Sequence, residues 1–111
     1  MKRIETILSL IKKDCLDIQN SLTGLGKKEF LNNPPVNRAV CMSLFNIGGL
    51  VKTLPQDFCV QYPQLPWKKF AGMYNTAREN KRLDLDAVWS AASSEIKKFL
   101  DFIACYENNL K

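Results

Sequence analysis

The sequence predicts an all-α protein, an antiparallel four-helix bundle with room for one further short helical turn. Three observations carry this. Apolar residues recur at the three- and four-residue steps of a helix face in four separate stretches, and proline, glycine or asparagine punctuates the gaps between the first three. No segment reads as a strand, and no internal repeat or low-complexity tract interrupts the pattern. The connections are short, which favours antiparallel neighbours.

The first stripe, Ile4, Ile7, Leu8, Ile11, Cys15, Ile18, Leu22 and Leu25, predicts a core helix over residues 3–23, stopped where Gly24 and Gly26 can supply a left-handed cap. Lys28 to Leu31 has the length of a single helical turn. Asn33-Pro34-Pro35 then breaks the pattern, because a residue before proline is pushed out of the helical region. The second stripe, Val36, Ala39, Val40, Ser43, Leu44, Ile47, Leu50, Val51 and Leu54, predicts a helix over 35–54. Gly48-Gly49 inside it costs roughly 1 kcal/mol per glycine relative to alanine. Close approach of a neighbouring helix or of a dimer mate accounts for tolerating them.

Gln56 to Leu65 is expected to be a loop anchored by Phe58 and Tyr62. Pro66 suits the first turn of a third helix over 66–82, since its missing N–H has no intrahelical partner there. Trp67, Phe70, Ala71, Tyr74 and Arg78 share one face of that helix. Asp84 offers a side-chain acceptor to the free N–H groups of a fourth helix over 85–108, with Asp86 in its positively polarised first turn. Leu85, Val88, Trp89, Ala92, Ile96, Phe99, Leu100, Ile103 and Tyr106 form its stripe, with Lys97, Lys98, Asp101 and Glu107 outward. Arg78, Lys81 and Arg82 form a basic corner between the last two helices, beside Glu79.

At 111 residues and 46% hydrophobic content, the chain is expected to be one domain over 1–111, burying roughly two-thirds of its unfolded surface. The net charge of +5 and pI near 9.1 favour an anionic partner such as RNA or an acidic protein. The positive charge is nevertheless dispersed in pairs such as Lys12-Lys13, Lys68-Lys69 and Lys97-Lys98, a pattern typical of solvated helix faces. Cys15, Cys41, Cys59 and Cys105 make no C-x-x-C motif and read as buried free thiols in a reducing compartment. The opening apolar run is interrupted by Glu5 and closed by Lys12, too short and too charged for a signal core or a membrane span, so a cytoplasmic protein without a membrane role is expected.

Histidine is absent, which removes the commonest acid–base group at neutral pH and the ordinary zinc sites built with it. No P-loop, dinucleotide-binding glycine pattern, nucleophile elbow or EF-hand is present, so no cofactor is expected. Trp67 and Trp89 sit in helical stripes and read as packing residues.

The stretch from Tyr62 to Trp89 resembles the HepT-like branch of the HEPN superfamily. There a P-W pair is followed by G-M-R-N, then a histidine, one residue and a tyrosine, then D-L and V-W. The matching residues are Pro66-Trp67, Gly72-Met73, Asn75, Asp84-Leu85 and Val88-Trp89. The resemblance extends over K-E-F-L-N-N-P at 28–34, Ile47-Gly48, Val51-Lys52 and Tyr62-Pro63, and so covers nearly the whole chain. It implies a helical homodimer whose arginine, histidine and tyrosine make a metal-independent ribonuclease. It also implies a small nucleotidyltransferase antitoxin as partner, which adenylylates the tyrosine. In this chain the arginine position is Tyr74, the histidine position Glu79 and the tyrosine position Lys81. Gly49 stands where the family usually has an acidic residue.

Cleavage of RNA by its own 2′-hydroxyl needs a base, an acid and a cation beside the charged phosphorane. Tyr74 supplies no cation, and Glu79 repels phosphate at pH 7. Residues five apart lie about 140° apart on a straight helix, so such a pair converges only through a helix end, a long side chain or a second subunit. Three readings follow. The chain is a catalytically silent toxin-family subunit that keeps the dimer and the nucleotidyltransferase partner; or it binds RNA without cutting it, through Lys68, Arg78, Lys81 and Arg82; or it cleaves RNA with a rearranged Arg78 and Glu79. Small residues Gly48, Gly49, Ala71 and Gly72, which let helices approach, add to the expectation of a two-fold dimer.

Overall fold

The first apolar stripe folds as α1 (Ile4–Leu22), burying Ile7, Leu8, Ile11, Cys15 and Ile18. This is a computed structural model, and it describes residues 3–79 and 82–109. Gly24, at φ +77°, makes the left-handed turn expected after α1, and the Leu25 N–H donates to the Leu22 carbonyl at 2.9 Å. The single turn expected next is α2 (Lys27–Leu31), which buries Phe30 against Trp89, ring centroids 5.3 Å apart.

Pro34 and Pro35 occupy the first turn of α3 (Pro34–Thr53), and the Asn33 side chain accepts the Val36 N–H at 3.3 Å. Val40, Leu44, Ile47 and Val51 carry its inner stripe. The double glycine is where α5 crosses: a Cβ on Gly48 would strike the Phe70 carbonyl and the Tyr74 Cβ, and one on Gly49 would lie 2.9 Å from the Tyr74 ring. Helix–helix approach therefore explains both glycines within one chain.

The stretch expected as a loop contains a helix, α4 (Gln56–Gln61), whose first turn closes with the Phe58 N–H on the Pro55 carbonyl at 3.0 Å. Six residues are too few to display a helical repeat, so the signal was absent from the sequence. Tertiary contacts supply the reason for the turn: buried Phe58 meets the rings of Tyr62, Trp67, Phe102 and Tyr106 with centroids 5.0 to 6.2 Å away.

Helix α5 (Trp67–Arg78) starts one residue after Pro66, whose carbonyl accepts the Phe70 N–H at 3.3 Å. It is shorter than the predicted 66–82, ending at Arg78 with the Glu79 N–H bonded to the Asn75 carbonyl at 3.1 Å. Asn80 and Lys81 lie outside the described residues. Asp84 caps α6 (Leu85–Ser90) as expected, accepting the Asp86 N–H at 3.0 Å. The predicted uninterrupted fourth helix instead passes through a π-helical turn (Ala91–Glu95) before continuing as α7 (Ile96–Asn109). Val88 and Ile96 would lie about 80° apart on a regular α-helix. The wider turn helps bring Ile96, Phe99 and Ile103 onto the core side with Val88.

Helix α3 is central, packed on α1 along one flank and on α5 along the other, while α7 closes against α1. Phe99 joins α7 to α5 through edge contacts with Trp67 at 5.4 Å and Phe70 at 4.9 Å. Trp67 is buried and its indole N–H donates to the Tyr62 carbonyl at 2.8 Å, so it packs as expected; Trp89 is half-buried. Cys15 is fully buried and Cys41 and Cys59 are half-buried, but Cys105 is exposed on α7, against the expectation of four buried thiols. Among the described residues, no helix is long and apolar enough to cross a membrane.

Candidate functional site at the junction of α3 and α5

The outer face of α3 carries a second stripe beside its core stripe. Arg38, Met42, Phe45, Gly49 and Lys52 follow one another at three- or four-residue steps and so share one side of the helix. At Gly49 the missing side chain leaves a shelf, and the Tyr74 ring of α5 lies over it, stacked on Phe45 with centroids 4.7 Å apart and planes 21° apart. Lys52 reaches the same ring from the other end: its ammonium stands 5.2 Å from the ring centroid and donates to the Asn75 side-chain oxygen at 2.7 Å. Phe45, Tyr74, Asn75 and Lys52 thus form one continuous aromatic and cationic surface.

Beyond Phe45 the surface opens into a cleft of about 530 Å³ between the first half of α3, the end of α5 and the segment leading into α6. Its walls are apolar, with Cys41, Met42, Phe45 and Leu83, and Arg38 and Arg82 both border it. Met42 on the cleft wall is 60% exposed. Burial raises the Cys41 thiol above its ordinary pKa, which keeps it protonated rather than nucleophilic. Asn37, the one buried polar side chain among the described residues, donates its side-chain amide N–H to the Phe30 carbonyl at 3.3 Å and ties α2 to the cleft wall.

The sequence-predicted candidates separate into groups. Tyr74 is half-buried in the stack; Arg78 is exposed at the last turn of α5, and Glu79 is exposed immediately after it. Arg82 borders the cleft, and Lys81 is outside the described residues. Lys68 is not with them: ten residues before Arg78 on the same helix, it lies about 15 Å away along the axis and lines a different cavity. Arg38 and Lys52 were missed as site residues. The second stripe on α3 was the signal that marks them, hidden because the core stripe is the stronger pattern.

The bundle carries the elements that the resemblance implies: a helix opened by the P-W pair, a capped D-L helix after it, and a basic, aromatic cleft at their junction. The chain belongs to the Ribonuclease HepT-like family, whose model matches residues 11–105. Among curated proteins it is 30% identical over 97 residues to "Putative RNase TTE0752" of Caldanaerobacter subterraneus subsp. tengcongensis, covering 86% of this chain and 87% of that protein. It is 36% identical over 81 residues to "Putative RNase MJ0125" of Methanocaldococcus jannaschii, covering 72% of this chain and 70% of the relative. A shorter match, 46% identical over 59 residues, joins it to "Putative RNase MJ0127" of the same organism and spans 53% of this chain but only 46% of that relative's length. No solved structure matches.

Proposed function

We propose that this chain is a HepT-family subunit whose ribonuclease centre is silent, a homodimer that engages a small nucleotidyltransferase antitoxin. The observation that carries the reading is Tyr74. At the position where the family places its arginine, a neutral phenol ring is committed to a stack on Phe45 over the Gly49 shelf. The nearby cation, Lys52, is engaged with Asn75 and the ring face. Glu79 brings a carboxylate to the histidine position, and Lys81 offers no phenol for adenylylation. Losing the acid–base group costs about 10² to 10⁴ in rate, and losing the charge stabiliser a further similar factor. Exposed Met42 beside the cleft supports a dimer on this face; the antitoxin partner rests on the family resemblance.

The test is incubation of purified protein with single-stranded RNA and with transfer RNA, beside Arg78→Ala and Glu79→Ala. The parent is expected to leave both substrates intact. Cleavage by the parent that either variant abolishes would instead establish the rearranged Arg78 and Glu79 centre. The combined change Tyr74→Arg, Glu79→His and Lys81→Tyr restores the family pattern, and an arginine at position 74 would stack on Phe45 as the tyrosine does. Activity is expected to appear in that variant. Light scattering at tens of micromolar that reports only monomer would remove the dimer. Failure of an adjoining nucleotidyltransferase reading frame to copurify would remove the partner.

A second reading has its own observation. Arg38 and Arg82 border an apolar cleft floored by Phe45, an arrangement that suits retention of an RNA strand without cutting it. Arg38→Ala and Arg82→Ala are each expected to reduce the salt dependence of RNA binding by about one counterion. A slope unchanged in both would discard this reading.

A further inference from the structure

The far end of α5 holds a second cavity, of about 670 Å³, between α4, the Pro63–Pro66 corner and the start of α5. Its lining includes none of Phe45, Lys52, Tyr74 and Asn75, and the proposed silent centre makes no use of it. Its lining is aliphatic: Leu54, Val60, Pro63 and Leu65. Val60 is 68% exposed, more than Met42 or Leu16, so the apolar surface continues beyond the cavity mouth. Trp67 contributes to the floor but is only 7% exposed, with its N–H held by the Tyr62 carbonyl.

The charge at this cavity has one sign. Lys68 and Lys69 border it, and no carboxylate is among the residues that line it. Lys69 lies 3.7 Å from Glu95, which Lys98 also approaches at 3.2 Å, a long contact that leaves the ammonium accessible. Among the described residues Lys68 has no ion-pair partner and is exposed. The excess of positive charge in the chain as a whole, +5, adds long-range attraction for an acidic approach.

We infer that this cavity docks an acidic, aliphatic segment of a partner protein, with an apolar side chain in the space beside Val60 and Leu65 and carboxylates on Lys68 and Lys69. Aliphatic walls favour an aliphatic side chain over a nucleobase, because base binding needs an open aromatic face and Trp67 is closed. Lysine is a compact point charge suited to carboxylates at a rim. Apolar filling with a charged rim is the general anatomy of a protein interface. Lys68 lies about 9 Å before Tyr74 along α5, and the two surfaces share no lining residue.

The test is an NMR titration of the full chain with three probes: an eight-residue peptide alternating Glu and Leu, its Lys and Leu counterpart, and an eight-nucleotide oligouridine. The Glu peptide is expected to shift the signals of Val60, Leu65, Trp67 and Lys68 and not that of Phe45. Lys68→Glu is expected to weaken it by about three- to tenfold, and raising salt to weaken it further. Val60→Asp, at an exposed position where folding is not at stake, is expected to weaken it at least as much. Equal binding of the Lys peptide, no shift at these residues, or insensitivity to both variants would overturn the inference. So would oligouridine shifting the same signals, or the shifts appearing when the protein alone is concentrated, which would make the occupant a second copy. Because the readout is at Val60 and not at Tyr74, the result is independent of whether the ribonuclease centre is silent.

Discussion

The two ends of α5 are built on opposite principles. At its start, Trp67 and Phe70 meet Phe99 by their edges, and Phe58, Tyr62, Phe102 and Tyr106 extend the same cluster across α4 and α7. Such edge contacts add about 0.5–1.5 kcal/mol each beyond the area buried, and they hold three elements that sequence neighbours alone would not bring together. Toward its end, the helix approaches α3 only because Gly48 and Gly49 have no side chains, and its Tyr74 ring lies half-buried on Phe45. The start of the helix is fixed by ring-on-ring packing across three elements, whereas its later turns are fixed by two missing side chains on α3.

The largest expected effect comes from removing a ring at the closed end. Phe99→Ala deletes a side chain that is 0% exposed and touches both Trp67 and Phe70. Denaturant unfolding should report a loss of about 3–5 kcal/mol. Tyr74→Ala, at a half-buried ring, should cost clearly less. Equal losses would erase the distinction between the two ends.

Next in size is a pH effect from the closed core. Burial, with Asp14 adding to it, pushes the Cys15 thiol up to about 12 from a usual 9.0. The folded state therefore holds this proton more tightly than the unfolded chain. Its contribution to stability is complete below pH 9 and is lost as pH rises toward 12, by up to about 4 kcal/mol. Urea melts should show about 2.6 kcal/mol of that fall between pH 8 and pH 11, and Cys15→Ala should flatten it. Thiol labelling sharpens the same contrast, with Cys105 expected to react first and Cys15 only on unfolding.

A smaller effect separates two glycines. Gly48→Ala places a methyl against the Phe70 carbonyl, where backbone cannot yield, and should destabilise by about 1–3 kcal/mol. Gly72→Ala meets nothing within 4 Å and lies mid-helix on α5, so it should stabilise by about 0.4–1 kcal/mol. Thermal melts of the two variants should move in opposite directions. The smallest effect is that of Lys52→Met, which removes an exposed cation from the Tyr74 ring and should cost under about 1 kcal/mol. A larger loss would mean that Lys52 holds the α3–α5 junction together.

Much of this architecture was written locally. The four stripes, the Asn33 and Asp84 caps, the Gly24 turn and the break at Pro34 are set by side-chain spacing and by the conformational limits of single residues, so the sequence alone specified where the main helices run and in what order. The positions that the family resemblance aligns with its motif, Tyr74, Glu79 and Lys81, were legible as well, since they needed only residue identity. What depended on tertiary structure is what depends on distant residues meeting. Helix α4 exists because Phe58 finds rings from α5 and α7, and six residues carry no periodicity to announce it. The π turn at Ala91–Glu95 depends on the core it faces. Lys52 and Asn75 are 23 residues apart in the chain, and only the crossing at Gly48 and Gly49 brings them to 2.7 Å. Lys68 and Arg78 share a helix and a charge, yet a rise of about 1.5 Å per residue carries them to opposite ends of it. Helices are encoded within a few residues of each other; a surface is encoded only by what folding places side by side.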